Sequence, residues 1–195
     1  TRYQRILEKS RPPRRLPPIL ELPAHTILGL STSFSQPAPT NLHSVAPLLL
    51  DLTVEAFTHS KSKEGVSWFG TLPHTLQMFV VSPCLLTASN IQAMVHQSPA
   101  LVFLQIGLNP SVLNTPSIFS SLHPNLEKLD LYTEPVEDFR RVRSRNTFPV
   151  EFGRFLPKNL RSLNLWGGAI KKKNGLPTFI SHLPRSVQRF SMSHS

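Results

Sequence analysis

Cysteine is almost missing from this chain: Cys84 stands alone in 195 residues. That excludes a disulfide framework and points to a reducing, intracellular compartment. Glycine is scarce, eight residues against nineteen prolines, a balance that suits short strands with stiff connections rather than long helices. No apolar run approaches the ~20 residues a membrane helix needs, so no membrane insertion is expected. Catalytic signatures are missing too, with no nucleophile elbow, P-loop or dinucleotide fingerprint. The eight histidines (25, 43, 59, 74, 96, 123, 182 and 194) keep no zinc-ligand spacing to one another or to Cys84. The sequence therefore predicts a protein that is not an enzyme and needs neither metal nor cofactor.

Acidic residues are few, 11 against 21 lysines and arginines, and the net charge of +10 is unevenly spread. Residues 1–15 carry six basic side chains and Glu8, while residues 16–138 carry three lysines and nine acids. Residues 139–195 carry twelve basic residues against Glu151 alone. Such asymmetry points to a polyanion, most often nucleic acid. Residues 1–24 read as a basic, proline-rich extended arm: Arg2, Arg5, Lys9, Arg11, Arg14 and Arg15 are interrupted by Pro12, Pro13, Pro17 and Pro18. An Arg-rich, acid-poor start fits what remains beside a cleaved organelle-targeting sequence, or a chain that simply begins here.

What is abundant is leucine in a recurring frame. Leu126/Leu129/Leu131 stand behind Pro124, and the same spacing returns as Leu49/Leu52/Val54, Leu76/Phe79/Val81 and Leu101/Leu104/Ile106. It continues as Leu160/Leu163/Leu165 and Val187/Phe190/Met192, each again behind a proline. First positions at 49, 76, 101, 126, 160 and 187 give steps of 27, 25, 25, 34 and 27 residues. A near-constant period is the mark of a repeat array.

The frame resembles the leucine-rich repeat, L-x-x-L-x-L-x-x-N/C, over about residues 45 to 195. The ninth position is Cys84 in the second copy and Asn109 in the third, the residue types that family prefers; Phe57, Glu134, Gly168 and Ser195 depart from it. The resemblance implies an α/β leucine-rich repeat solenoid, with a curved parallel sheet on the concave side and short helices and loops on the convex side. The repeat domain would span residues 25–195, with a degenerate first repeat at 25–45 whose strand residues are Leu28 and Leu30. Leu22-Pro23-Ala24-His25-Thr26-Ile27-Leu28 also faintly resembles the start of an F-box, the module that docks ubiquitin-ligase adaptors. Helices are expected from Leu85, Leu86, Ala88, Ile91, Met94 and Val95 after Pro83, and from Val136, Phe139 and Val142 after Pro135. The last motif runs to Ser195 with no polar cap, so further chain or a neighbouring subunit is expected to cover it.

Two surfaces follow. Outward strand positions on the concave face bring together Met78, Val80, Phe103, Gln105, Lys128, Asp130, Tyr132, Asn164, Trp166 and Arg189. Exposed aromatics of this kind anchor protein partners; the alternatives are an arm folded over them, or a one-residue slip that makes them core. The long fourth return segment carries Arg140, Arg141, Arg143 and Arg145, and the fifth carries Lys171, Lys172 and Lys173 ahead of a turn at Asn174-Gly175. Adjacent segments of a repeat array are neighbours, so these residues would form one RNA-phosphate contact, linked by Arg154, Lys158 and Arg161 and continued over 185–189. Phe148, Phe152 and Phe155 among them either stack bases or anchor the segment as core, and core is the expectation.

The expected function is a non-enzymatic scaffold joining other protein subunits within a large RNA-containing assembly, such as a mitochondrial ribosome or a ribosome-assembly particle. The expected compartment is the mitochondrion, with cytoplasm or nucleus as alternatives. One alternative is a substrate adaptor of a ubiquitin ligase, with residues 22–45 docking the ligase; another is an inhibitor of an enzyme such as a phosphatase or nuclease, which would use the same face.

Overall fold

The computed structural model describes residues 29–34, 47–56, 70–133, 147–170 and 175–193. Nine strands appear there: β1 (Gly29–Phe34), β2 (Asp51–Ala56), β3 (Met78–Leu86), β4 (Phe103–Leu108), β5 (Lys128–Tyr132), β6 (Thr147–Phe148), β7 (Ser162–Trp166), β8 (Ala169–Ile170) and β9 (Arg189–Ser193). Three helices lie between them: α1 (Ala88–Gln97), α2 (Pro110–Leu113) and α3 (Gly175–Ser181). Two 3-10 turns, Pro116–Ser121 and Phe152–Phe155, complete the α/β chain.

Seven strands form one parallel sheet in the order β1-β2-β3-β4-β5-β7-β9. Each pairs in parallel with the next main strand in sequence. The register aligns the leucine frame across the sheet: Leu30, Leu52, Phe79, Leu104, Leu129, Leu163 and Phe190 stand side by side. Leu52, Phe79, Leu104, Leu129 and Leu163 are fully buried. Each such side chain contributes roughly 1.5–3 kcal/mol by leaving water.

In three frames the proline carbonyl closes the entry turn, while at Leu101 and Leu126 the acceptor is the residue before the proline, Ser98 and His123. Leu76, Leu160 and Val187 donate their N–H to the carbonyls of Pro73, Pro157 and Pro184, closing tight turns that aim the chain into the sheet. The next carbonyl then accepts twice. Leu50 C=O takes the N–H groups of Gln77 and Met78, and the carbonyls of Gln77, Val102, Glu127 and Arg161 repeat the arrangement toward their following neighbours. Side-chain hydroxyls reinforce it: Thr75 Oγ1 donates to Pro47 C=O and Leu49 C=O, as Ser186 Oγ does to Lys158 C=O and Leu160 C=O.

Return segments close the core. α1 starts at the N-cap Thr87, whose side chain accepts from Asn90 N–H while Asn90 Oδ1 accepts from Thr87 N–H. It buries Ile91 and Met94. The helix expected from Leu85 begins later because Leu85 and Leu86 continue β3, where the register shifts between Val80 and Leu85. An apolar run beside a strand satisfies either period, and the Thr87 cap decides the boundary. The helix expected over 136–142 lies outside the described residues. Gly175, expected in a turn, opens α3 instead.

The 34-residue step contributes β6 to a second, two-stranded sheet whose other strand, β8, lies in the following step. Phe148 and Phe152 are fully buried, with edge contacts from Phe152 to Phe119 at 4.7 Å and to Phe148 at 5.5 Å. Such pairs contribute roughly 0.5–1.5 kcal/mol beyond burial. These two rings are core, and Phe155 is half-buried against the same core. Gly168, at the ninth position of its frame, is explained here too: a Cβ would lie 2.8 Å from the Phe148 ring.

Candidate functional site

Residues between the buried leucines point to the other side of the sheet, and pairing sets them in three rows. The first reads Asp51, Met78, Phe103, Lys128, Ser162 and Arg189. The second reads Thr53, Val80, Gln105, Asp130, Asn164 and Ser191. The third, across the later strands, reads Gly107, Tyr132, Trp166 and Ser193. All ten residues expected on the protein-binding face therefore lie on one face. Met78, Val80, Phe103 and Gln105 are half-buried.

The second row is an ordered polar ladder. Ser191 Oγ donates to Asn164 Oδ1 at 2.7 Å, and Asn164 Nδ2 donates to Asp130 Oδ1 at 2.6 Å. Lys128 Nζ stands 3.5 Å from Asp130 Oδ2 and 4.2 Å from the centroid of the Phe103 ring. Asp130 is only 6% exposed, and these donors replace the water that burial takes from its oxygens. It organises its neighbours rather than offering itself to a partner, whereas Lys128 keeps its ammonium in reach of solvent.

One strand position further, Tyr132 and Trp166 stack at 5.9 Å with planes 14° apart. Trp166 remains 38% exposed. Its carbonyl is fixed by Thr133, which donates both its N–H and its Oγ1–H to it. Gly167 follows in the left-handed region at φ 74°, and its N–H donates to Ser193 C=O. The indole thus sits on a backbone tied to both neighbouring strands. Burial raises the Tyr132 pKa above its ordinary value, and the Asp130 charge adds to the rise. Burial also raises the pKa of Asp51.

At the end where the strands begin, the surface is basic. Lys158, Arg161, Arg185 and Arg189 are exposed, with Arg161 3.7 Å from Glu127. The hydrogen bonds of Ser186 tie the turns bearing Lys158 and Arg185 together. Nearby, Arg154 bonds the Nε2 atom of His182, whose Nδ1–H donates to Val150 C=O. Arg140, Arg141, Arg143, Arg145, Lys171, Lys172 and Lys173, expected at RNA phosphate, lie outside the described residues.

Sequence reasoning missed the ladder and its Ser191 member. The signal was present: Asp130, Asn164 and Ser191 occupy the same frame position in three successive copies, and each can hydrogen-bond to the next. Among the described residues no cluster of three or more His, Cys, Asp or Glu side chains is placed to hold a metal ion. Also among them, no helix is long and apolar enough to cross a membrane. No protein-family model matches the chain, and no curated protein matches its sequence.

Proposed function

We propose that the chain is a leucine-rich repeat solenoid serving as a non-enzymatic scaffold, which grips a protein partner on the face holding Tyr132 and Trp166. The observation that supports it is the alignment of the six frames into adjacent parallel strands, leaving one side leucine core and the other a continuous face with an exposed indole. A strand at Gly29–Phe34 beside β2 supports a degenerate first repeat rather than an adaptor-docking module, although Leu30 pairs with Leu52 where the expected alignment put Leu28, which lies outside the described residues.

The assembly would be a large RNA-containing one, of the kind a ribosome or ribosome-assembly particle represents. The support is charge: twelve basic residues against one acid over 139–195. Phosphate contact is assigned to Arg140, Arg141, Arg143, Arg145 and Lys171–Lys173, as backbone-level binding without sequence reading.

Photo-crosslinking residues placed at Gln105 and at exposed Ser120 on the return side test the protein contact. A partner captured from native extract at Gln105 and not at Ser120 is the expected result. Capture only at Ser120 would overturn the face assignment, and a ubiquitin-ligase core among the captured proteins would favour the adaptor reading. Replacing the four arginines by Glu should abolish RNA association, whose affinity should fall steeply with salt.

A further inference from the structure

We propose that the later half of this face takes an extended acidic peptide with a large apolar residue about four positions from its acidic one. The inference rests on the protein-binding reading above and specifies its partner. Charge and apolar surface are separated along the strands. Lys128 and Arg189 lie in the first row, two strands apart, which sets their backbones at roughly 10 Å. Exposed Arg185 extends the same positive lip, and exposed Arg161 joins it beside Glu127, 3.7 Å away. Trp166, stacked on Tyr132, lies in the third row. Four strand residues separate the rows, about 13 Å at ~3.3 Å per residue. A peptide lying along the strands would span that distance in four residues.

Acidic chemistry is favoured because the one acid of the later face, Asp130, is buried and already bonded to Asn164 and Lys128. The accessible charge there is positive: the Lys128 side chain is 45% exposed, and Arg189 is exposed. A nucleic-acid strand fits less well. Its phosphates recur with every nucleotide, so a chain crossing toward Trp166 would meet the row of Gln105, Asp130, Asn164 and Ser191, which itself holds no cationic side chain. A peptide carries its charge at one end only.

Selection of a random displayed peptide library on the full chain, followed by fluorescence anisotropy of the hits, tests this. Expected hits pair Asp or Glu with Leu, Phe or Trp four residues away. Their affinity should fall about tenfold or more in Lys128→Glu and in Arg189→Glu, and on the order of thirtyfold in Trp166→Ala. Circular dichroism confirms folding of each variant; all three side chains reach solvent. Neutral or basic hits that still require Trp166 would overturn the acidic partner and leave the face assignment standing. Hits indifferent to Trp166 would overturn both. Acidic hits indifferent to Lys128 and Arg189, or displaced by equimolar oligouridylate, would overturn the acidic-peptide specificity, and so would an empty selection.

Discussion

Replacing Asn164 by alanine probes the polar ladder directly. The variant loses the donor 2.6 Å from Asp130 Oδ1 and the acceptor 2.7 Å from Ser191 Oγ. Ser191 is exposed and can turn to water, so its share is small. Asp130 is different, because at 6% exposure water has poor access to the oxygen left without its donor. A hydrogen bond to a charged group contributes roughly 1.5–3 kcal/mol, and Lys128 still supports the other oxygen. The expected loss is about 2 kcal/mol, or about 4–8 °C in Tm for a chain of this size. Urea titration of wild type, Asn164→Ala, Asp130→Ala and the double variant closes a cycle that isolates the pair. A coupling of about 1.5 kcal/mol or more is expected. A coupling near zero with unchanged urea slopes would refute the claim that the Asn164–Asp130 hydrogen bond stabilises the fold.

Two further predictions concern stability. Gly168→Ala should lose roughly 1–3 kcal/mol by thermal unfolding, as overpacking does, because its Cβ would meet the Phe148 ring at 2.8 Å; adding Phe148→Leu should restore part of that loss. For Asp51, burial raises the folded-state pKa above the ordinary value of 3.8. The stability it contributes is therefore full below that value and lost as pH rises through the folded pKa. Asp51→Asn should unfold at a higher temperature than wild type at neutral pH, with the gap closing toward acid.

The parallel sheet was legible because its information is local and repeated: a proline turn, then apolar residues three and two apart, with Leu129 enough to place Leu163 beside it. The face was legible for the same reason, since alternation sends Tyr132 and Trp166 to the side opposite Leu131 and Leu165. What escaped depends on residues far apart in sequence. Asp130 reads as an outward, solvated acid until Asn164 arrives from the next main strand. Leu85 and Leu86 suit a helical stripe or a strand equally, and only Thr87 with Asn90 fixes where the helix starts. The β6–β8 pairing involves two residues on each side, too short for any periodic signal. Gly168 looks like a failure of the frame until Phe148 is seen to occupy the space a side chain would need.

The doubly accepting carbonyls of Leu50, Gln77, Val102, Glu127 and Arg161 have a consequence for how the molecule tolerates change. They lock the spacing from turn to strand, yet place no demand on the length of chain between one strand and the next turn. Extra sequence spliced into those intervals, whether by natural drift or by a designer grafting a loop, would leave the indole and its basic neighbours where they stand. A single residue inserted between turn and strand would instead break two bonds at once and invert which side chains meet the partner.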